Sequence, residues 1–358
     1  MRTRLAPHLE PGAPPARRAR TGVLALLAAV AAGAMLAACS SSGSGASPAG
    51  SGAPPIPASV PAGVTLRVAD QIGGLKELLA AAGQDRNFPY QVDYSELTGG
   101  TSMLQAFQAG SVELALTASP PLIFAQAAHL GVQGVAAWAP SNGGAALVSA
   151  PGVKISGWAA LKGKKVAYQK GTVEETGVLE GLASAGLSLK DITPVTLPTT
   201  SIAPALESGS VSAAVLLQPF TAVYLARNPT ARQVVAIKDI TTRVAFLAAA
   251  TSALGNPGTE AAVADYIRRV EKAEEWVNSH QRQWAQIEYV QQYKMPLAVG
   301  EEVIADEGPY SFLPLPGSLA ASQQLLANLY ASAGEIPSKL NVSAEFDSHF
   351  NPVVKENQ

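Results

Sequence analysis

The chain has 358 residues, 25 Lys and Arg against 27 Asp and Glu, a formal charge of −2, and 47% hydrophobic residues. That length accommodates two lobes of ordinary domain size once terminal segments are set aside. The balance lacks the basic surplus of a nucleic-acid binder, and a single cysteine, Cys39, excludes a disulfide framework and a thiolate metal cluster.

Residues 1–38 read as a targeting segment. Arg2, Arg4, Arg17, Arg18 and Arg20 give a positive start, and residues 23–36 (VLALLAAVAAGAML) form an uncharged apolar run. The run has the length of a signal core and is short for a bilayer span. Leu36-Ala37-Ala38-Cys39 closes it with small residues and resembles the bacterial lipobox. The resemblance implies cleavage before Cys39, a lipid on its thiol, and a mature protein held at the outer face of the cytoplasmic membrane. An ordinary cleaved signal with a coincidental cysteine is the plainer alternative, and Arg17-Arg18 leaves Sec and twin-arginine export both open. Residues 40–62 are uncharged and dominated by Ser, Gly, Pro and Ala. With Cys39 they predict a flexible tether over residues 39–63. Losing five arginines and one glutamate with the targeting segment leaves 20 basic against 26 acidic residues. A balance of −6 argues against nucleic acid and against electrostatic docking on anionic lipid.

The body of the chain repeats itself. Residues 68–73 (VADQIG) return 98 positions later as residues 166–171 (VAYQKG). Residues 102–112 (SMLQAFQAGSV) return 99 positions later as residues 201–211 (SIAPALESGSV), and Ser119-Pro120 returns at that offset as Gln218-Pro219. In each copy an apolar strand runs into a Gly-containing turn. An amphipathic helix follows, with Met103 and Phe107, or Ile202 and Leu206, at i and i+4 on one face. Gly110 or Gly209 stops that helix, and a second strand runs into a proline that opens the next helix. Alternating strands and helices predict an α/β protein with mainly parallel sheets.

Two lobes built alike face each other across a cleft, and ligands of such sheets sit beyond the carboxyl ends of the strands. That places Gln71, Gly73, Ser119, Gln169, Gly171 and Gln218 near one site; preserved packing glycines and strand ends are the alternative. The second lobe is expected to begin where the apolar run 145–148 meets Pro151-Gly152. The expected division is residues 64–149 for the first part of lobe 1, 150–243 for lobe 2, and 244–358, mostly helical, for the return to lobe 1. Residues 260–282 and 318–332 carry helix-period apolar spacing.

Residues 161–171 (LKGKKVAYQKG) resemble the LKGKKVA-x-QKG signature of the aliphatic-sulfonate and taurine binding proteins of ABC importers. Residues 118–126 (ASPPLIFAQ) are similar to the segment that ends their third strand, and residues 109–112 and 207–211 to their helix stops. The similarity runs from about residue 66 to residue 352, and the broad family also includes binders of nitrate and of pyrimidine vitamin precursors. It implies a type II periplasmic-binding-protein fold, in which two hinged lobes close on a small solute and deliver it to a permease and its ATPase. It implies a monomer, no cofactor and no chemistry. Anions in the sulfonate binders sit on free amides and hydroxyls at helix N-termini, which by position points to Gly100, Thr101, Ser102, Ser119, Gly171 and Thr172. Two departures leave the ligand class open. Val173-Glu174-Glu175 follows the QKG turn, and Gln218 stands where an Asp is common. Two carboxylates in a first helical turn complement the helix dipole, whereas Glu175 facing the cleft would repel a sulfonate and invite an ammonium or amidine.

Trp138, before Ala139-Pro140, either stacks on a flat ligand or plugs the core. Thr199 and Thr200 lie at another strand end and are candidates to line the cleft. His129, His280 and His349 hold no metal-ligand spacing, and neither a nucleophile elbow nor a P-loop is present. A fungal enzyme of thiamine-pyrimidine synthesis shares the implied fold but needs a cysteine-rich motif, and no cysteine follows residue 39. A solute receptor feeding an importer is therefore the leading expectation. Beside it stand a binder of cationic or heterocyclic solutes and a ligand-sensing lobe for a membrane receptor.

Overall fold

The structure, a computed structural model, describes residues 54–71, 73–237, 243–337 and 340–355. Cys39, the targeting segment and most of the expected tether lie outside the described residues. The last part of that tether is not free of the body. Ile56 and Val60 pack against the core of the first lobe, because two apolar side chains among the prolines have surface to bury.

The chain first lays down β1 (Thr65–Gln71), α1 (Gly74–Ala81), β2 (Gln91–Leu97), α2 (Gly100–Gln108), β3 (Leu114–Ala118), α3 (Ser119–Ala127) and β4 (Val132–Pro140). It continues with β5 (Ala145–Ser149), β6 (Lys165–Tyr168), α4 (Val173–Ser184), β7 (Thr193–Thr196), α5 (Thr199–Glu207), β8 (Ala213–Leu217), α6 (Phe220–Arg227) and β9 (Gln233–Ile237). The rest holds β10 (Ala245–Ala250), α7 (Thr251–Leu254), α8 (Pro257–Ser279), α9 (Gln281–Ala285), a π-helical turn (Gln286–Gln292), α10 (Leu297–Glu307), β11 (Tyr310–Leu313), α11 (Leu319–Ala333) and α12 (Asn351–Lys355).

The strands form two sheets, β11-β4-β10-β3-β1-β2 and β7-β6-β8-β5-β9. The internal repeat is visible in them: β2-β1-β3 of the first sheet corresponds to β7-β6-β8 of the second, and α2 to α5. The repeated glycines have repeated conformations. Gly73 and Gly171 take φ 75 and 73, and Gly110 and Gly209 take φ 64 and 70, values at which a side chain would be strained.

The sheets are mixed where mainly parallel ones were expected. β1 pairs in parallel with β2 and β3, and β6 with β7 and β8. The remaining pairings are antiparallel: β5 and β10, the strands that follow the two crossings, run against both neighbours, and β11 runs against β4. β10 returns from the second lobe and inserts between β3 and β4, and β5 enters the second lobe between β8 and β9. The start of the second lobe moves accordingly. β5 pairs with β8 and β9, so residues 145–149 belong to the second sheet and the crossing falls between Pro140 and Ala145. The apolar run 145–148 reads as a buried strand in either lobe, and its partners are set by pairings about seventy or more residues away.

Each sheet is covered on both faces. In the first, Leu66 and Val68 of β1 pack with Leu75 and Leu79 of α1 and Tyr266, Ile267 and Val270 of α8, while Ala69 and Ala115 meet Met103 of α2. In the second, Leu147 and Val215 face Val178 and Leu182 of α4. Their neighbours Val148 and Leu216 face Ile202 and Leu206 of α5 and Tyr224 of α6, as alternating side chains of buried strands must. The C-terminal helices bridge the lobes: Leu326, Ala327 and Tyr330 of α11 share a cluster with Ile123 of α3 and Leu179 of α4.

Candidate ligand-binding cleft

A cavity of about 340 Å³ opens between the two sheets. The first lobe contributes Gln71 at the end of β1, Thr98, Gly99 and Gly100 at the start of α2, residues 116–118 at the end of β3, and Pro121. The second contributes Thr172, Val173 and Glu174 at the start of α4, Thr199 and Thr200 at the start of α5, Leu217 and Gln218 at the end of β8, and Phe220. Arg243, Val244 and Ala245 close it from the second crossing between the lobes. Strand ends and helix N-termini converge on this space because both repeats present their carboxyl edges to it.

Of the residues singled out from sequence, Gln71, Gly100, Thr172, Thr199 and Gln218 line the cavity, as does Thr200. The others have different surroundings. Gly73 caps α1 with φ 75 and lies beside Glu96. Thr101 is exposed, and the Ser102 hydroxyl lies 2.7 Å from Thr98 O and 2.8 Å from Gly99 O, tightening its own helix start. Ser119 is buried, with its carbonyl accepting from Gln323 Nε2 at 2.8 Å. Trp138 plugs the core, stacked on Phe312 at 5.3 Å between ring centroids.

Gly171 and Glu175 neutralise one another. The Gly171 amide donates to Glu175 Oε2 at 2.7 Å, so the N–H implied for an anion is already engaged. Glu175 is fully buried, outside the cavity lining, and its Oε1 has no hydrogen-bond partner among the described residues. Burial pushes its carboxyl up to about 7 against the pull of that amide, with Glu335 adding to the rise and Lys170 opposing it. The carboxylate that lines the cleft is Glu174, not Glu175. Its Oε1 lies 2.8 Å from the Thr199 hydroxyl. Successive residues of a helix point about 100° apart, and here the turn of α4 brings Val173 and Glu174 to the cavity and carries Glu175 away from it.

Sequence reasoning missed Thr98, Gly99, Thr117, Phe220 and above all Arg243. The Arg243 Nη1 donates to Pro140 O at 2.9 Å and to Ser141 O at 2.5 Å, tying the second crossing to the first. Among the described residues its buried Nε has no partner, and neither has the buried hydroxyl of Thr117, another residue of the lining. A lone arginine ahead of an apolar strand carries no signal of this role; only the meeting of the two crossings reveals it. The cavity thus combines one guanidinium, one carboxylate and several hydroxyl and amide groups, a lining suited to holding a small polar solute.

A family model described as NMT1/THI5 like matches residues 91–283. A protein of Escherichia coli (strain K12), provisionally assigned as an aliphatic sulfonates-binding protein, is 28% identical over 77% of this chain and 86% of its own length. Among solved structures, the alkanesulfonate-binding protein SsuA from Xanthomonas axonopodis pv. citri bound to MOPS superposes with a TM-score of 0.71 at 25% identity, covering 81% of this chain and 99% of that one. The periplasmic aliphatic sulphonate binding protein SsuA from Escherichia coli gives 0.67 at 26% identity, covering 79% and 92%.

Proposed function

The chain belongs to the NMT1/THI5-like family, and from that premise we propose that it is the extracytoplasmic solute-binding component of an ABC importer, capturing a small sulfonate-like anion for a permease. The observation that carries the anion is Arg243, the one cationic side chain among the described residues that line the cleft, with a buried Nε that has no hydrogen-bond partner among them. Leaving a buried charged donor unmatched costs free energy that an incoming anion recovers. The Thr117 hydroxyl and the N-termini of α2, α4 and α5 supply further donors around the same space. Relatives named for binding aliphatic sulfonates support the same class. Closure of the lobes would exclude water and strengthen each of these contacts.

Glu174 supports a second reading. A buried carboxylate on the cleft wall suits a solute that carries an ammonium or amidine. Titration calorimetry with ethanesulfonate, MOPS, nitrate and a cationic heterocycle separates the two. The first reading expects the sulfonates to bind, and Arg243→Gln to weaken them about tenfold to a hundredfold, the worth of one hydrogen bond to a charged group. Binding of the cationic heterocycle alone, lost in Glu174→Gln, replaces the first reading with the second.

The finer location belongs to the same proposal. The mature chain begins at Cys39 with a lipid on its thiol, and the uncharged segment behind it keeps a monomeric receptor beside its permease. No chemical step is assigned to the cleft.

A further inference from the structure

We propose that Gln169 is a positioning residue for cleft closure: its carboxamide, pinned by Thr199 in the second lobe, seats on the Gly99 backbone of the first lobe and sets how far the cleft shuts. This rests on reading the chain as a two-lobed binder. Gln169 is the repeat counterpart of Gln71, yet the two glutamines differ in placement. Gln71 lines the cavity and Gln169 does not. Gln169 Oε1 accepts from the Thr199 amide at 2.7 Å and lies 2.9 Å from its hydroxyl. That hydroxyl has one proton to share between Gln169 and Glu174. The Gln169 carbonyl also accepts from the Thr172 hydroxyl at 2.7 Å. The side chain is thus anchored to Thr199 and the backbone to Thr172, two residues that themselves line the cavity.

Its other end, Nε2, lies over Gly99 so closely that a Cβ there would collide with it. At Gly100 a Cβ would lie 3.2 Å from the Gly171 carbonyl and 2.6 Å from Pro121 Cγ. Two consecutive glycines of the first lobe therefore meet the second, Gly99 against the Gln169 side chain and Gly100 against the Gly171 backbone. The meeting point borders Thr172, Thr199 and Glu174, so opening the lobes here would also part the cavity walls. A contact made only between closed lobes slows departure of the ligand and leaves its entry unchanged.

The test is a double-mutant cycle read by stopped-flow with MOPS as probe. Gln169→Ala is expected to speed MOPS dissociation about tenfold, with association within about twofold and a small fall in the thermal midpoint of the free protein from the lost hydrogen bonds to Thr199. Gly99→Ala is expected to weaken binding, and by less when combined with Gln169→Ala. Gly99 has φ 82, so backbone strain enters both backgrounds equally and cancels in the cycle. Additive penalties, or a slowed association, overturn the proposal. A second experiment needs no ligand: full-length chain carrying Cys39→Ser, Gly99→Cys and Gln169→Cys should be joined by a short bis-maleimide. If wild type binds neither MOPS nor ethanesulfonate but the cross-link forms, the sulfonate reading falls and the contact stands. Binding without the cross-link sinks the contact alone.

Discussion

Glu174 and Glu175 occupy the first turn of α4, where negative charge complements the helix dipole. Glu174 spends its carboxylate at the cavity wall beside Thr199. Glu175 is turned inward onto the Gly171 amide, with one buried oxygen unmatched among the described residues. A carboxyl raised to about 7 in the folded protein and titrating near 4.5 when unfolded binds an extra proton in the native state between those values. Its stabilising contribution is therefore complete below about 4.5 and is lost as pH rises through 7. Glu307 behaves alike, raised by burial to about 7, and Glu274, Glu288 and Glu345 are raised by burial to about 8. The thermal midpoint should accordingly fall between pH 5 and pH 8. Glu175→Gln should recover about 1–3 kcal/mol of that loss at pH 8 and almost nothing at pH 5. An equal effect of the substitution at both values would remove Glu175 from the account.

At the scale of elements, the two repeats share a plan and differ in how tightly their helices sit. Helix α4 carries Gly177 and Gly181 one turn apart on the face toward the second sheet and its flank. A Cβ at Gly177 would lie 2.9 Å from Ile237 and 3.1 Å from Val215, and one at Gly181 would collide with the Trp158 ring. Missing side chains let α4 lie flat on β8 and β9 and against Trp158, which keeps its N-terminus aimed at the cleft. Gly181→Ala, favourable by helix propensity alone, should instead destabilise the protein by about 1–3 kcal/mol through overpacking. Denaturant midpoints with unchanged slope would register that loss. A gain in stability would mean that Trp158 can move aside.

For the molecule as a whole, the two crossings matter most. β5 and β10, the strands that follow the two crossings, are inner strands of their sheets; the second sheet is one continuous stretch of chain, β5 to β9, whereas the first needs β10 and β11 to complete it. Arg243 ties the crossings together through the carbonyls of Pro140 and Ser141 while lining the cleft, which puts the charge proposed to receive a ligand where the chain passes between the lobes. The same scale holds the anchor. Replacing Cys39→Ser should move the protein from the membrane fraction to the soluble fraction of expressing cells. The mass of the mature N-terminal peptide should show an acylated cysteine only in the wild type. An unmodified Cys39 in membrane-bound wild type would end the lipoprotein reading.

The sequence by itself determined the α/β repeat, the helices over residues 260–282 and 318–332, and the glycine turns, because these depend on periodicity and on backbone freedom within a few residues. It also determined that strand ends and helix starts of both halves face one site, since Gln71, Gly100, Thr172, Thr199 and Gln218 all line the cavity. The tertiary structure alone decided which sheet claims β5 and β10, whether Glu174 or Glu175 faces the cleft, that Trp138 belongs to the core, and that Arg243 joins the two crossings. Each of those depends on a partner many residues away or on the rotation of one side chain about a helix. Local spacing carries neither.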